Sequence, residues 1–161
     1  MLKPNLITNN ITDVSVEYLE QNNIKALLLD VDNTLSPAHG VKKLRDGGAE
    51  WLSLMRENGI ELIILSNAKK ERARRFGDTV GLEVIGLSMK PLPFGYFRAA
   101  KKLGIPRRNI AMIGDQYFTD ILGGKLAGVK TVMVTDITPE DSAFFKLKRK
   151  AEKILLKRWK K

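Results

Sequence analysis

Ile24-Lys25-Ala26-Leu27-Leu28-Leu29-Asp30-Val31-Asp32-Asn33-Thr34-Leu35 is a short apolar run that stops at two aspartates separated by a single residue. A run this short, without polar alternation, suits a strand covered on both faces, as in a parallel sheet. The same grammar recurs on the C-terminal side. Strands are expected at 60–65, 83–86, 109–113 and 131–134. Helices are expected between them: 50–58, with Trp51, Leu52, Leu54 and Met55 at helical spacing and Gly59 as a stop; 70–80, strongly charged; 93–103, opened by Pro93; and 119–127, closed by Gly128. A last helix is expected from Pro139 into a basic tail, over about 139–161. Strands alternating with helices predict an α/β fold in one domain over 1–161. The sheet should be doubly wound, mainly parallel and five-stranded, with helices on both faces.

In such sheets ligands sit beyond the carboxyl ends of the strands, so chemistry is sought in the residues that follow them. These are Asp30 and Asp32, then Ser66-Asn67, then Gly114-Asp115 with Asp120 further on, and Lys90 in the loop after the third expected strand. Residues i and i+2 of an extended chain point the same way, about 6.6 Å apart at ~3.3 Å rise per residue. With Asp115 they form a cluster of carboxylates that repels itself until a hard, oxygen-seeking cation neutralises it, and magnesium suits that donor set. A cation beside a lysine, a hydroxyl and backbone amides makes a seat for a phosphoryl group. An aspartate there can act as nucleophile, and a second carboxyl group can manage the protons.

These residues, in this order, resemble the four motifs of the haloacid dehalogenase (HAD) superfamily over roughly residues 24–134. The capless layout and the Lys90-Pro91 pair resemble its subclass IIIA, YqeG-like branch, which includes phosphatidylglycerophosphate phosphatases. The resemblance implies a Rossmann-like phosphatase without a cap domain. In it Asp30 is nucleophile and metal ligand, and Asp32 is general acid/base and binds the metal through its backbone carbonyl. Thr34 holds the turn. The Ser66 hydroxyl and the Asn67 amide hold phosphate oxygens, with Lys90 balancing their charge. Asp115 completes the ligands to Mg2+, Asp120 acts from behind through a water or the Lys90 region, and Gly114 permits close approach. His39 is expected on the surface of the flap after the first motif, and Tyr117 and Phe118 are expected to pack against their own loop.

Composition narrows the rest. There is no cysteine, which removes disulfide and thiolate chemistry and agrees with a reducing, cytoplasmic setting, and one histidine excludes a multi-histidine metal site. The net charge is +10, and residues 144–161 hold nine Lys/Arg against one Glu, leaving +2 for the remainder. Phe144, Leu147, Ala151, Ile154 and Leu155 recur at helical spacing among those cations, the pattern of an interfacial helix, so peripheral contact with an anionic membrane is one expectation and packing on the sheet the other. Neither gap between motifs has room for a cap, so the site should be open, suiting a substrate whose bulk is its own lid. The resemblance implies a lipid phosphate monoester. A phosphatase of nucleic acid ends or soluble metabolites, and a non-catalytic RNA- or ribosome-associated module, are the alternatives.

Overall fold

The computed structural model describes residues 3–138, 146, 150–154 and 157. All five expected strands form, and every pairing among them is parallel. They are β2 (Ala26–Leu29), β3 (Glu61–Leu65), β4 (Glu83–Ile85), β5 (Ile110–Gly114) and β6 (Lys130–Val134). The sheet has six strands rather than five, because β1 (Leu6–Thr8) adds to its edge with Leu6 opposite Val132. β1 is three residues long and only half buried, so it carries too little apolar signal to stand out. Its place is secured by pairing, with the Asn5 amide donating to the Thr131 carbonyl and the Thr135 amide to Thr8.

The order β1-β6-β5-β2-β3-β4 puts β2 at the centre, and the chain leaves it on one side and returns on the other. The crevice between β2 and β5 is therefore the switch point of the sheet. Side chains of β2 alternate between two cores. Leu27 and Leu29 join Leu19 of α1 (Val16–Gln21), Trp51 and Met55 of α2 (Gly48–Glu57) and Phe76 of α3 (Lys70–Val80). Ala26 and Leu28 join Tyr96 and Ala99 of α4 (Phe94–Leu103) and Ala127 of α5 (Leu122–Ala127). Leu27, Leu28 and Leu29 are fully buried, and each such side chain contributes about 1.5–3 kcal/mol. This is why the acidic motif is held at a fixed depth.

Two local departures shape the site. The chain after β2 makes a wide turn over Val31–Leu35, with Asn33 at φ +58°, a left-handed conformation that asparagine accepts more readily than most residues. The helix expected over 119–127 is shorter, because Tyr117–Ile121 forms a second wide turn and α5 starts at Leu122, ending at Gly128 with φ +76°. Among the described residues no extra domain is inserted between the motifs, and no helix is long and apolar enough to cross a membrane.

The helix expected over about 139–161 is visible at 146, 150–154 and 157, and the remainder of that span, including Phe144, Leu147, Leu155 and Trp159, lies outside the described residues. Glu152 is only 2% exposed, and its Oε1 accepts a hydrogen bond from the Tyr117 amide at 2.9 Å. This part of the tail packs on the loop that carries Asp115 and Asp120, while Ile154 faces solvent.

Candidate active site

Sheet register brings the motifs together. Leu29 pairs with both Ile113 and Ile64, so Asp30 emerges between the ends of β5 and β3, beside Gly114-Asp115 on one side and Leu65-Ser66 on the other. The Asp30 amide donates to the Ile113 carbonyl at 3.0 Å, which extends the ladder one residue past the strand. Carboxylate oxygens of Asp30, Asp115 and Asp120 lie within 4.8 Å of one another.

Lys90 enters this cluster from the loop after β4. Its Nζ is 2.7 Å from Asp30 Oδ1, 2.7 Å from Asp120 Oδ1 and 2.8 Å from the Leu65 carbonyl oxygen. It donates to Asp30 and to the Leu65 carbonyl, and its contact with Asp120 is an ion pair. Burial works against the charge on Lys90, but Asp120 and Asp30 outweigh it and hold the ammonium protonated well above the ordinary lysine range. Asp30 is pushed up to about 8, first by burial and then by the charges of Asp120 and Asp115, with Lys90 pulling the other way. Three buried carboxylates against one ammonium leave an excess of negative charge, and all the donors are oxygens. The residues therefore fit a hard divalent cation.

Asp120, expected to act from behind, stands within the cluster, its Oδ2 accepting from the Gln116 amide at 3.0 Å while Oδ1 faces Lys90. Gly114 is required for that placement, because a β-carbon there would come 2.3 Å from Asp120 Oδ2. Thr34 is fully buried inside the Val31–Leu35 turn. Ser66 is buried, and its Oγ accepts from the Ala68 amide at 3.1 Å.

Three contacts have no signature in the sequence. The Asn67 side chain, not only the backbone amide the resemblance singled out, has a part here. Its Oδ1 accepts from Ser88 Oγ and from the Lys90 amide, both at 2.8 Å, and Nδ2 donates to the Lys90 carbonyl at 2.9 Å. It pins the lysine loop to the end of β3. The Asp32 carboxylate turns away from the other three, and Arg72 Nη2 donates to both its oxygens at 3.0 Å. His39 is exposed, as expected of a flap residue, yet its Nδ1 is 2.9 Å from Asp32 Oδ2, and the Gly40 amide donates to Oδ1 at 3.0 Å. Tyr117 and Phe118 pack edge to face with centroids 5.3 Å apart.

Arg72 belongs to a second concentration of positive charge that the tail-centred reading overlooked. Residues 69–75 hold five cations and one anion at the start of α3. Between this helix and the flap lies a cavity of about 300 Å³, with Asp32, Ser66, Lys42, Lys69 and Arg72 in its wall and Val31, Ala73 and Phe76 as its apolar lining.

The comparisons with known proteins agree with this geometry. A family model described as haloacid dehalogenase-like hydrolase matches residues 36–128. The chain is 30% identical over 156 residues to the probable phosphatase YqeG of Bacillus subtilis, covering 95% of this chain and 88% of that protein. It is 28% identical over 149 residues to the mitochondrial phosphatidylglycerophosphatase GEP4 of Saccharomyces cerevisiae, covering 84% and 79%. A HAD superfamily (subfamily III A) hydrolase of Legionella pneumophila shares the fold with a TM-score of 0.57 at 24% identity, over 75% of this chain and 70% of that one. The chain belongs to the haloacid dehalogenase-like hydrolase family, as one of its phosphatases.

Proposed function

We propose that the protein is a magnesium-dependent phosphomonoester hydrolase that passes the phosphoryl group through Asp30, with a phospholipid phosphate of the phosphatidylglycerophosphate kind as its substrate. The observation that carries the reading is the contact of Asp30 with Lys90 inside a buried group of three carboxylates at the switch point of the sheet. Residues 1–161 act as one catalytic unit, with Glu152 fastening the tail to the motif loop.

Asp30 and Asp115 would hold the cation through their carboxylates and Asp32 through its backbone carbonyl. When bound, the cation neutralises phosphate charge and polarises the phosphoryl oxygens. Asp30 attacks phosphorus as the ester P–O bond breaks, and Asp32 gives its proton to the departing alkoxide. Asp32 then takes a proton from water, whose oxygen attacks phosphorus, and the bond to Asp30 breaks to release phosphate and restore the carboxylate. Ser66 and the Asn67 amide orient phosphate oxygens, and Lys90 offsets the charge that builds on them. Arg72, His39 and the Gly40 amide hold the Asp32 carboxylate clear of the metal cluster, where a leaving group approaching along the flap would meet it.

The lipid assignment is supported by the likeness to a phosphatidylglycerophosphatase, by the absence of a cap among the described residues, and by the part-apolar, cation-edged cavity beside Asp32. The test is a magnesium-supported screen across lipid, nucleotide, sugar and protein phosphates. Preference for the lipid is expected. Faster turnover of nucleotide or sugar esters would move the assignment to a soluble or nucleic-acid substrate, and no turnover of any ester would leave a binding module.

A further inference from the structure

The loop that delivers Lys90 shows two different faces along its length. Ser88 and Lys90 point inward and are buried, Ser88 onto Asn67 and Lys90 into the carboxylates. Leu87, Met89, Leu92 and Phe94 point outward, each between 47% and 56% exposed. Single exposed apolar residues are ordinary, but four within eight residues, at the carboxyl edge of the sheet where the site opens, form a local apolar crest. Leu87 and Met89 hold φ of +47° and +61°, a region unfavourable to residues with a β-carbon. The backbone is strained where it displays these side chains, and local strain that persists is a mark of functional surface. The crest is also firmly seated. The Leu92 amide donates to the Met89 carbonyl at 2.8 Å, and Gly95 abuts Ser88 so closely that a β-carbon would come 2.6 Å from its carbonyl oxygen.

Cations border this crest. The Leu87 amide donates to the Ala68 carbonyl at 3.0 Å, and a β-carbon on Gly86 would lie 2.9 Å from Lys70 Cα, so the loop runs directly against the start of α3. That start carries Lys69, Lys70 and Arg74, all exposed, beside Arg72, which is held by Asp32, and Arg75, which is paired with Glu71. On the other side Arg98 donates to the Leu87 carbonyl at 3.2 Å. Apolar tips set between exposed cations match the chemistry of an anionic bilayer, in which the tips enter the headgroup boundary and the cations meet lipid phosphates. A symmetric second copy suits it poorly, since a two-fold contact would set this basic border against itself.

We infer that residues 87–94 and the first turns of α3 form a docking surface for an anionic lipid bilayer, which brings the open end of the site onto the membrane plane. The docking stands independently of catalysis; only its consequence, that a headgroup phosphate meets Asp30 at the surface, rests on the phosphatase reading. The surface is made of other residues than the basic tail, so the two are separable by substitution.

The experiment is sedimentation of the full chain with phosphatidylcholine vesicles, with and without phosphatidylglycerol, alongside magnesium-supported hydrolysis of a soluble chromogenic phosphate ester. Three forms are compared: the natural chain, Leu92→Ser with Phe94→Ser, and Lys70→Glu with Arg74→Glu. The natural chain is expected to sediment with the anionic vesicles only, and each double variant to bind them at least ~10-fold more weakly while soluble ester turnover stays within about twofold. Met89→Asn, which keeps a residue tolerant of the left-handed backbone, is expected to weaken binding in the same direction. Indifference of the natural chain to anionic vesicles, or binding by the variants equal to its own, overturns the inference. So does a natural oligomer that Leu92→Ser with Phe94→Ser dissociates without any effect on vesicles, which would make the crest a contact between copies. Vesicle binding without hydrolysis of either lipid or soluble ester upholds the docking and removes the phosphatase reading instead.

Discussion

Arg72 holds Asp32 from forty residues away in the chain, with one guanidinium nitrogen 3.0 Å from each carboxylate oxygen. The arginine is half exposed and the aspartate partly so, which makes the pair a modest contributor to stability. Its effect should appear in turnover. Arg72→Ala is expected to lower kcat by ~10-fold with little change in thermal midpoint, because a misaligned acid/base loses part of its usual 10²–10⁴-fold contribution. Steady-state kinetics with calorimetry on the same preparation checks this, and unchanged kcat would remove Arg72 from the mechanism.

Asp30→Asn should abolish turnover and still stabilise the metal-free protein. The folded-state pKa of Asp30 is raised, so the contribution of this group to stability is full below the ordinary carboxylate range and is lost as pH rises through about 8. Asparagine removes that slope. In excess chelator the advantage of the variant should grow from acid toward pH 8 and reach at least ~2 °C in melting midpoint. Magnesium should reverse the ranking by stabilising the natural chain, and chelation should stop its hydrolysis. A pH-independent difference would contradict the buried-charge account.

Lys90→Met leaves Asp30 and Asp120 buried without their cation, and loss of one partner from such a group costs ~3–5 kcal/mol. The variant should be both inactive and poorly folded. Adding Asp120→Asn removes one of the stranded charges, so the double variant should recover part of the stability and none of the activity. Denaturant titration of the four forms of this cycle measures the coupling.

Gly114→Ala tests how tightly the cluster is built. Its new methyl group would collide with the Asp120 carboxylate and push it off Lys90. A destabilisation of ~1–3 kcal/mol is expected from the overpacking. A fall in kcat of ~10²-fold is expected from displaced groups. Normal kinetics would show that Asp120 is not needed where it stands.

Asn67 invites a sharper comparison. Asn67→Asp keeps the acceptor for Ser88 and Lys90 but loses the donor to the Lys90 carbonyl, and it adds a carboxylate near the phosphate seat. It should weaken phosphate binding, raising KM more than it lowers kcat, whereas Asn67→Ala should lower both kcat and phosphate affinity. Inorganic phosphate inhibition measured on each variant separates the two effects.

Much of this arrangement was legible because strand ends are local events. Leu27, Leu28 and Leu29 form an unbroken apolar run, Asp30 ends it, and the same punctuation marks Ser66 and Gly114. Parallel pairing then leaves little choice about which ends meet. β1 escaped notice because Leu6, Ile7 and Thr8 are few and half buried, and pairing with β6 supplies what their hydrophobicity does not. Arg72, His39 and the Asn67 side chain escaped for another reason. Their partners lie 40, 7 and 23 residues away, and nothing in helical or strand periodicity marks which exposed arginine of a charged helix will turn toward a carboxylate.

Lys90 Nζ donates to Asp30 and to the Leu65 carbonyl and stands in ion-pair contact with Asp120. A phosphate arriving at this site meets an ammonium already engaged on three sides, so its contact with the lysine competes with those in place. In the proposed mechanism, phosphorylation of Asp30 would weaken one of them, because the oxygen it shares with Lys90 would then be the uncharged carbonyl of an acyl phosphate. In such an exchange the lysine would switch allegiance with each half of the cycle, held in reach by Asp120 while it does so.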